Sequence, residues 1–250
     1  MIYPLVFLIL GLFVGSFLSV VIFRYPNYKS IVFGRSGCKK CKKKIKSYDL
    51  IPLLSYLVLL GRCRNCGEKI SLIYPAIELL TGGLFFLFSL QFGVSFILFP
   101  YLLLAMLLVV IFIYDGVHLE IPELFLWLIL AISAIVTLFS GNNLSDILLG
   151  GLVGGGFLGL LVGISGEKWM GSGDIMIGLA FGLLTGLRSS VLFLFLAFSL
   201  GAIFGLILIA IRGKKIKSEI AFAPFLIIAG IIALLWGDRL INLYLNFVII

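Results

Sequence analysis

The sequence predicts an all-α polytopic membrane protein of about eight transmembrane helices, with a small cytoplasmic four-cysteine metal-binding loop domain after the first helix. Three observations carry this prediction. Of the 250 residues, 62% are hydrophobic and only 12% charged, with a mean hydropathy of +1.26, outside the range of soluble domains. The apolar runs are unbroken and about twenty residues long, as helices crossing roughly 30 Å of hydrocarbon require, whereas a barrel would show alternating ten-residue strands. Lysine and arginine gather in a few connections instead of spreading along the chain.

Taken in order, helices are expected at about Ile2 to Phe23, Tyr74 to Leu90, Val94 to Tyr114, Ile121 to Phe139, Ile147 to Ile164, Asp174 to Leu187, Val191 to Ile211 and Ala221 to Trp236. The first run has no basic residue before it and a basic segment after it. That is the reverse of a secretory signal peptide, so a retained helix is expected. The sixth run is short, and the apolar tail Leu240 to Ile250 is too short to cross and is expected to pack at the interface. Glycines at 150, 151, 154, 155, 156, 159 and 163 would let the fifth helix approach its neighbours closely.

The net charge of +8 reports topology here, not a nucleic-acid partner. With the N-terminus outside, the basic residues of Arg24 to Lys46, Arg62 to Lys69, Lys168 and Arg212 to Lys217 all fall on one side, and only Arg188 and Arg239 on the other. The positive-inside rule makes the rich side cytoplasmic. Asp115 then ends the third helix on its way in and Asp174 begins the sixth on its way out, so both lie at the cytoplasmic boundary.

Two acidic side chains at one depth can share a proton, because like charges a few ångströms apart cannot both ionise in a poorly solvated site. The ionised member can take a proton from water while the protonated member donates to a peptide carbonyl oxygen, which hydrolyses the bond without a covalent intermediate. Gly171 and Gly173 flank Ser172 just before Asp174, allowing unusual backbone angles and close approach of a substrate strand. Asp174, Gly178, Gly182 and Gly186 share one helical stripe, which turns the carboxylate into protein and away from lipid. Plain structural roles compete with this reading: Asp174 also suits a helix N-cap, and Asp115 a solvated turn. His118 reads as a solvated loop residue, and Glu123, after Pro122, as a dipole-complementing residue at a helix start.

The four cysteines stand as Cys38-x-x-Cys41 and Cys63-x-x-Cys66, with 21 residues between the pairs. Two such turns offer four thiolates to a tetrahedral ion, and a cytoplasmic location disfavours disulfides. Zinc here would be structural, since four protein ligands leave no open position. Between the pairs, Leu50 to Leu60 is an apolar run too short to span, expected to lie on the membrane or re-enter it. The resulting domain plan is 1–23 for the first helix, 24–73 for the zinc-ribbon-like loop and 74–250 for the membrane-embedded catalytic part.

These residues resemble the bacterial type IV prepilin peptidases, aspartic proteases of the GxGD type. The resemblance runs through Gly15-Ser16-Phe17-Leu18-Ser19 with Arg24 and Pro26, Ile51-Pro52-Leu53-Leu54-Ser55-Tyr56, Gly61-Arg62-Cys63-Arg64-Asn65-Cys66, Tyr74-Pro75-Ala76-Ile77-Glu78-Leu79, Asp115 with Pro122, Gly171 to Asp174, and Ala223-Pro224-Phe225-Leu226. It implies an intramembrane peptidase that removes the basic leader of type IV prepilin or pseudopilin precursors after a glycine. Asp115 and Asp174 match the catalytic aspartates, and Gly171, Gly173 and Pro122 match positions beside the substrate. It also implies N-methylation of the new N-terminus by S-adenosylmethionine, with Glu78 a candidate at that cofactor. The location implied is the bacterial inner membrane, with the active site at the cytoplasmic face and lipid around the helices. Met176 replaces a common lysine, Glu123 an Asp or Asn, and Ala223 a glycine.

Two other classes remain open from sequence. A proton-coupled or cation transporter would use the aspartates as a relay, although both lie at one face and no inverted repeat is evident. An assembly factor would use only the cysteine loop.

Overall fold

The computed structural model describes residues 2–141, 143–212 and 221–248. Within them nine helices follow in order: α1 (Tyr3–Arg24), α2 (Tyr28–Phe33), α3 (Leu54–Val58), α4 (Ile73–Phe92), α5 (Leu98–His118), α6 (Glu123–Phe139), α7 (Leu144–Ser165), α8 (Ser172–Arg212) and α9 (Ala223–Val248). The described residues contain no strand beyond isolated bridges in the cysteine loop. The fold class read from the sequence is therefore the one observed.

Six of these helices are long and apolar enough to cross a membrane, against the expected eight. Two features account for the difference. First, α6 has 17 residues and falls just below the length of the other six. Second, the expected sixth and seventh helices meet without a loop inside the 41-residue α8, where Gly186, with φ 72° and ψ 176°, leaves the helical conformation and separates two limbs. That angle suits glycine because it carries no Cβ. The Asp146 carboxylate of α7 accepts from the Leu187 N–H just past the bend, satisfying a donor that the break releases. The last helix, expected to end at Trp236, runs on as α9 to Val248 and takes in most of the apolar tail. Of the basic cluster Arg212 to Lys217, the part from 213 lies outside the described residues.

The chain divides into two compact units, Met1–Ile113 and Tyr114–Ile250. In the first, α1 packs along α4. A Cβ on Gly11 or Gly15 would strike the α4 backbone at Gly82 or Glu78, so these glycines set the spacing of the pair. The stack of Tyr101 on Phe92, 3.9 Å between centroids, joins the start of α5 to the end of α4. In the second unit, α7 lies against the first limb of α8 through paired glycines. Gly150 and Gly154 face the carbonyls of Gly182 and Gly178, and the reverse contacts hold equally. Backbone meets backbone there, as small residues permit in a setting where hydrophobic burial gives helices no reason to associate. The same is not true of Gly156 and Gly163, whose missing side chains face no neighbouring helix.

Candidate active site and metal centre

Asp115 lies on the last turn of α5 and Asp174 on the first turn of α8; both are buried, 6% and 5% exposed. The helix continues three residues beyond Asp115, so this aspartate is not the turn residue that its position after an apolar run suggests. The backbone N–H of Ala223, the first residue of α9, faces the Asp115 carboxylate. A helix N-terminus presents N–H groups without intrahelical partners, and a carboxylate is favoured there. The Asp115 Oδ2 is buried and has no hydrogen-bond partner among the described residues.

The Asp174 N–H donates to the Gly171 carbonyl at 3.1 Å, and the Gly171 N–H faces the Asp174 carboxylate. Asp115 lies near enough for its charge to act directly on Asp174. Sequence separates these residues by almost sixty positions, and the second unit brings them together. Gly173 packs closely on Leu126 and Ile121, whose terminal methyls an added Cβ would approach to 3.3 and 3.4 Å. At Gly171, by contrast, a Cβ would meet only the Gly173 nitrogen at 4.0 Å, so this position opens to free space. Pro122 forms the N-cap of α6. His118 is exposed and stacks on Tyr114 at 4.2 Å. Ala223 was legible only as a replaced glycine; its role as a backbone donor has no side-chain signature.

The cysteines sit on two matching turns in the first unit. Around the first pair, Cys38 N–H bonds the Lys43 carbonyl and Lys42 N–H bonds the Cys38 carbonyl. Around the second, Cys63 N–H bonds Glu68 and Gly67 N–H bonds Cys63. Single bridges, Gly37 with Lys44 and Arg62 with Lys69, close the two knuckles. The equivalent fifth positions, Lys42 and Gly67, both take positive φ, 59° and 70°. All four Sγ atoms lie within 4.8 Å of one another, and Cys38 and Cys66 are 3.7 Å apart. Zinc bound tetrahedrally at 2.3 Å would space its sulfurs by about 3.8 Å, so the donor set fits that ion.

The backbone N–H groups of Cys41 and Lys40 hold the Cys38 thiol down at about 6. At Cys66 the lowering effect of the Glu68 N–H is outweighed by burial and the neighbouring thiols, which push it up to about 11. Four thiolates this close need a cation to ionise together. Lys40 and Glu68, 2.6 Å apart, tie one knuckle to the other, and Arg64 holds Asp49 at 2.6 Å.

The Glu78 carboxylate accepts from the Leu53 N–H at 2.8 Å and from the Ser16 hydroxyl. It thus fastens the loop to α4 and α1, with Leu53 held at a φ of 59°. Beyond it, the apolar run Leu50 to Leu60 folds as a 3-10 turn and the short α3, leaving Leu54, Leu57, Val58 and Leu60 exposed.

Comparison with known proteins places this architecture. Residues 9–92 match the bacterial peptidase A24 N-terminal domain, and residues 102–206 match the type IV leader peptidase family. The chain is 32% identical to the prepilin leader peptidase/N-methyltransferase of Bacillus subtilis, covering 95% of this chain and 96% of that protein. It is 32% identical to the protein of that name from Pseudomonas aeruginosa, over 98% and 96% of the two chains, and 33% identical to that of Legionella pneumophila with the same coverage. No solved structure matches the chain. These relatives are enzymes by name, which lends no support to the transporter reading. The chain belongs to the type IV leader peptidase family.

Proposed function

We propose that the chain is a membrane-embedded aspartic endopeptidase and N-methyltransferase of type IV prepilin-like precursors, with Asp115 and Asp174 as its catalytic pair. The observation that carries this reading is a buried carboxylate pair within electrostatic reach of each other, with one oxygen, Asp115 Oδ2, left without a partner. A buried acceptor in that state costs about 1–3 kcal/mol and is suited to a water or substrate that completes it. One aspartate, ionised, removes a proton from the attacking water. The other, protonated, donates to the carbonyl oxygen as the tetrahedral centre forms, and protonation of the amine nitrogen releases the leader. Ala223 and Gly171, through their N–H groups, hold the two carboxylates in place. The open side of Gly171 admits the backbone flanking the scissile bond, Gly173 brings the α8 terminus against α6, and Pro122 starts α6 beside it.

The loop 24–73 holds a structural zinc on Cys38, Cys41, Cys63 and Cys66, while 74–250 carries the peptidase. S-adenosylmethionine, when bound, supplies an electrophilic methyl group to the amine freed by cleavage. Glu78, which accepts from the Leu53 N–H, fastens the loop to α4 and is the candidate contact at that cofactor. The protein resides in the bacterial inner membrane with its N-terminus outside, its active site at the cytoplasmic face and lipid around its helices, and it has no nucleic-acid partner.

The test is a detergent assay on a prepilin precursor with and without S-adenosylmethionine, reading product masses for wild type and Asp174→Ala. Leader loss that needs Asp174, with a methyl added only when the cofactor is present, is the expected result. Equal processing by Asp174→Ala overturns the assignment.

A further inference from the structure

Resting on the methyl-transfer part of the proposed function, we infer that the rings of Phe23 and Tyr74 form a notch that holds the sulfonium end of the methyl donor. Both residues belong to the first unit, Phe23 on the last turn of α1 and Tyr74 on the first turn of α4. Their ring centroids lie 5.1 Å apart with the planes tilted by 48°, so the rings are not closed on each other in a stack. Both are half-buried and keep part of their faces open.

Three observations select a sulfonium as the ligand. The first is that the chain already puts a cation there. The Lys39 ammonium stands 5.2 Å from the Phe23 centroid and 6.0 Å from that of Tyr74, so one charge reaches both rings. Lys39 is exposed, and among the described residues its ammonium has no hydrogen bond or ion pair. An ammonium is a compact, strongly hydrated charge with three donors, whereas ring faces suit cations that lack N–H groups, as in the recognition of quaternary ammonium ligands. A sulfonium carries a full charge and no N–H. Lys39 is therefore a weakly held placeholder that such a ligand can displace.

The second is a carboxylate on the same seam. Tyr74 and Glu78 are one turn apart on α4 and share a face. That face is turned to α1: Tyr74 meets Phe23, and a Cβ on Gly15 would strike the Glu78 Cα at 2.7 Å. Glu78 is buried, 8% exposed. An aromatic notch with a buried carboxylate one turn below it is suited to a positive group and not to an anion.

The third is the link to the cysteine loop. Lys39 follows Cys38 within the first knuckle, and the next residue, Lys40, pairs with Glu68 of the second knuckle at 2.6 Å. The position of the placeholder is thus set by the cysteine turns, while the rings belong to the helices. The notch also separates donor from product. Loss of the methyl group leaves an uncharged thioether, to which the rings offer no cation attraction.

The experiment measures equilibrium binding of S-adenosylmethionine, and of its uncharged demethylated product S-adenosylhomocysteine, to the full-length protein in detergent with zinc present. Wild type is expected to prefer the sulfonium by about fivefold or more. Phe23→Leu and Tyr74→Leu should each cut that preference by about threefold or more, through weaker binding of the sulfonium alone, and Tyr74→Phe, which keeps the ring, should retain it. Lys39→Gln removes the competing charge and should tighten the sulfonium by about threefold without changing the thioether. A lysine that merely ties the loop gives no such gain. An unchanged preference in folded Phe23→Leu and Tyr74→Leu proteins overturns the inference, as does Lys39→Gln that binds the sulfonium no better than wild type. Lys39 is exposed, so its variant decides the matter even where the leucine variants fail to fold. The two readings fail separately: wild type that binds neither compound rejects the methyl-transfer reading together with the notch, whereas sulfonium binding that these variants leave unaltered rejects only the notch.

Discussion

Each cysteine turn in the loop closes within eight residues, by the same backbone bonds and a single bridge, and places two sulfurs by local geometry alone. The aspartates are placed quite differently. Asp115 depends on a backbone N–H more than a hundred residues away, and Asp174 sits on a helix whose position against α7 is set by glycines in direct backbone contact. The cysteine cluster is thus a property of two short segments, and the carboxylate pair a property of a whole packed unit. Damage should spread accordingly: a local change in the loop should leave the pair intact, and one crowded glycine in the unit should misplace it.

The sharpest way to break this comparison is Gly154→Leu or Gly182→Leu. Either side chain would enter the facing backbone, an overpacking expected to cost about 3 kcal/mol or more. Cleavage should fall below detection while the purified protein still carries its zinc, measured by metal analysis. Loss of zinc together with cleavage would show that the two regions are not independent.

Next in size is Cys63→Ser, or removal of zinc by a chelator. The loop should lose its ordered amides in hydrogen exchange, because the metal contributes folding free energy directly. Cleavage is expected to persist at a reduced rate and methylation to fall furthest; product masses separate the two.

A smaller and more local contrast is built into the paired knuckles. Gly67→Ala should destabilise the second by about 1 kcal/mol because of its positive φ. Lys42→Gly should relieve the same strain in the first. Zinc retention under competing chelator should therefore move in opposite directions.

The smallest effect concerns pH. Arg64 beside Asp49 holds its carboxyl below the usual carboxylate range. Its folded value lies below the unfolded one, so its contribution is present above the unfolded value, about 4, and is lost as pH falls through the folded one. The difference in loop protection between wild type and Asp49→Asn should be full near pH 6 and shrink as the pH drops below about 4.

The same contrast explains what could be read from the residues. Cys-x-x-Cys spacing encodes its own geometry, so the gathering of the four cysteines was legible in full. The stripe of Asp174, Gly178 and Gly182 was legible as a packed face because helical period carries it. The donor at Ala223 was not, since any residue but proline supplies an N–H. The two expected spans are the two limbs of α8; what was missed is that they meet at Gly186 without a loop, where the Leu187 N–H is taken up by Asp146 of α7. The extension of α9 was missed because the polar Asp238 and Arg239 interrupt the hydropathy without interrupting the helix.

The central claim is that Asp115 and Asp174 act as one unit, and a double-mutant comparison tests it most directly. Steady-state cleavage of a prepilin precursor would be measured for Asp115→Asn, Asp174→Asn and the double variant. Residues acting as a unit are strongly non-additive. Each single substitution is predicted to reduce kcat by about a thousandfold or more, with the double variant no worse than either. Losses that multiply, or a single variant that cleaves at the wild-type rate, would contradict it.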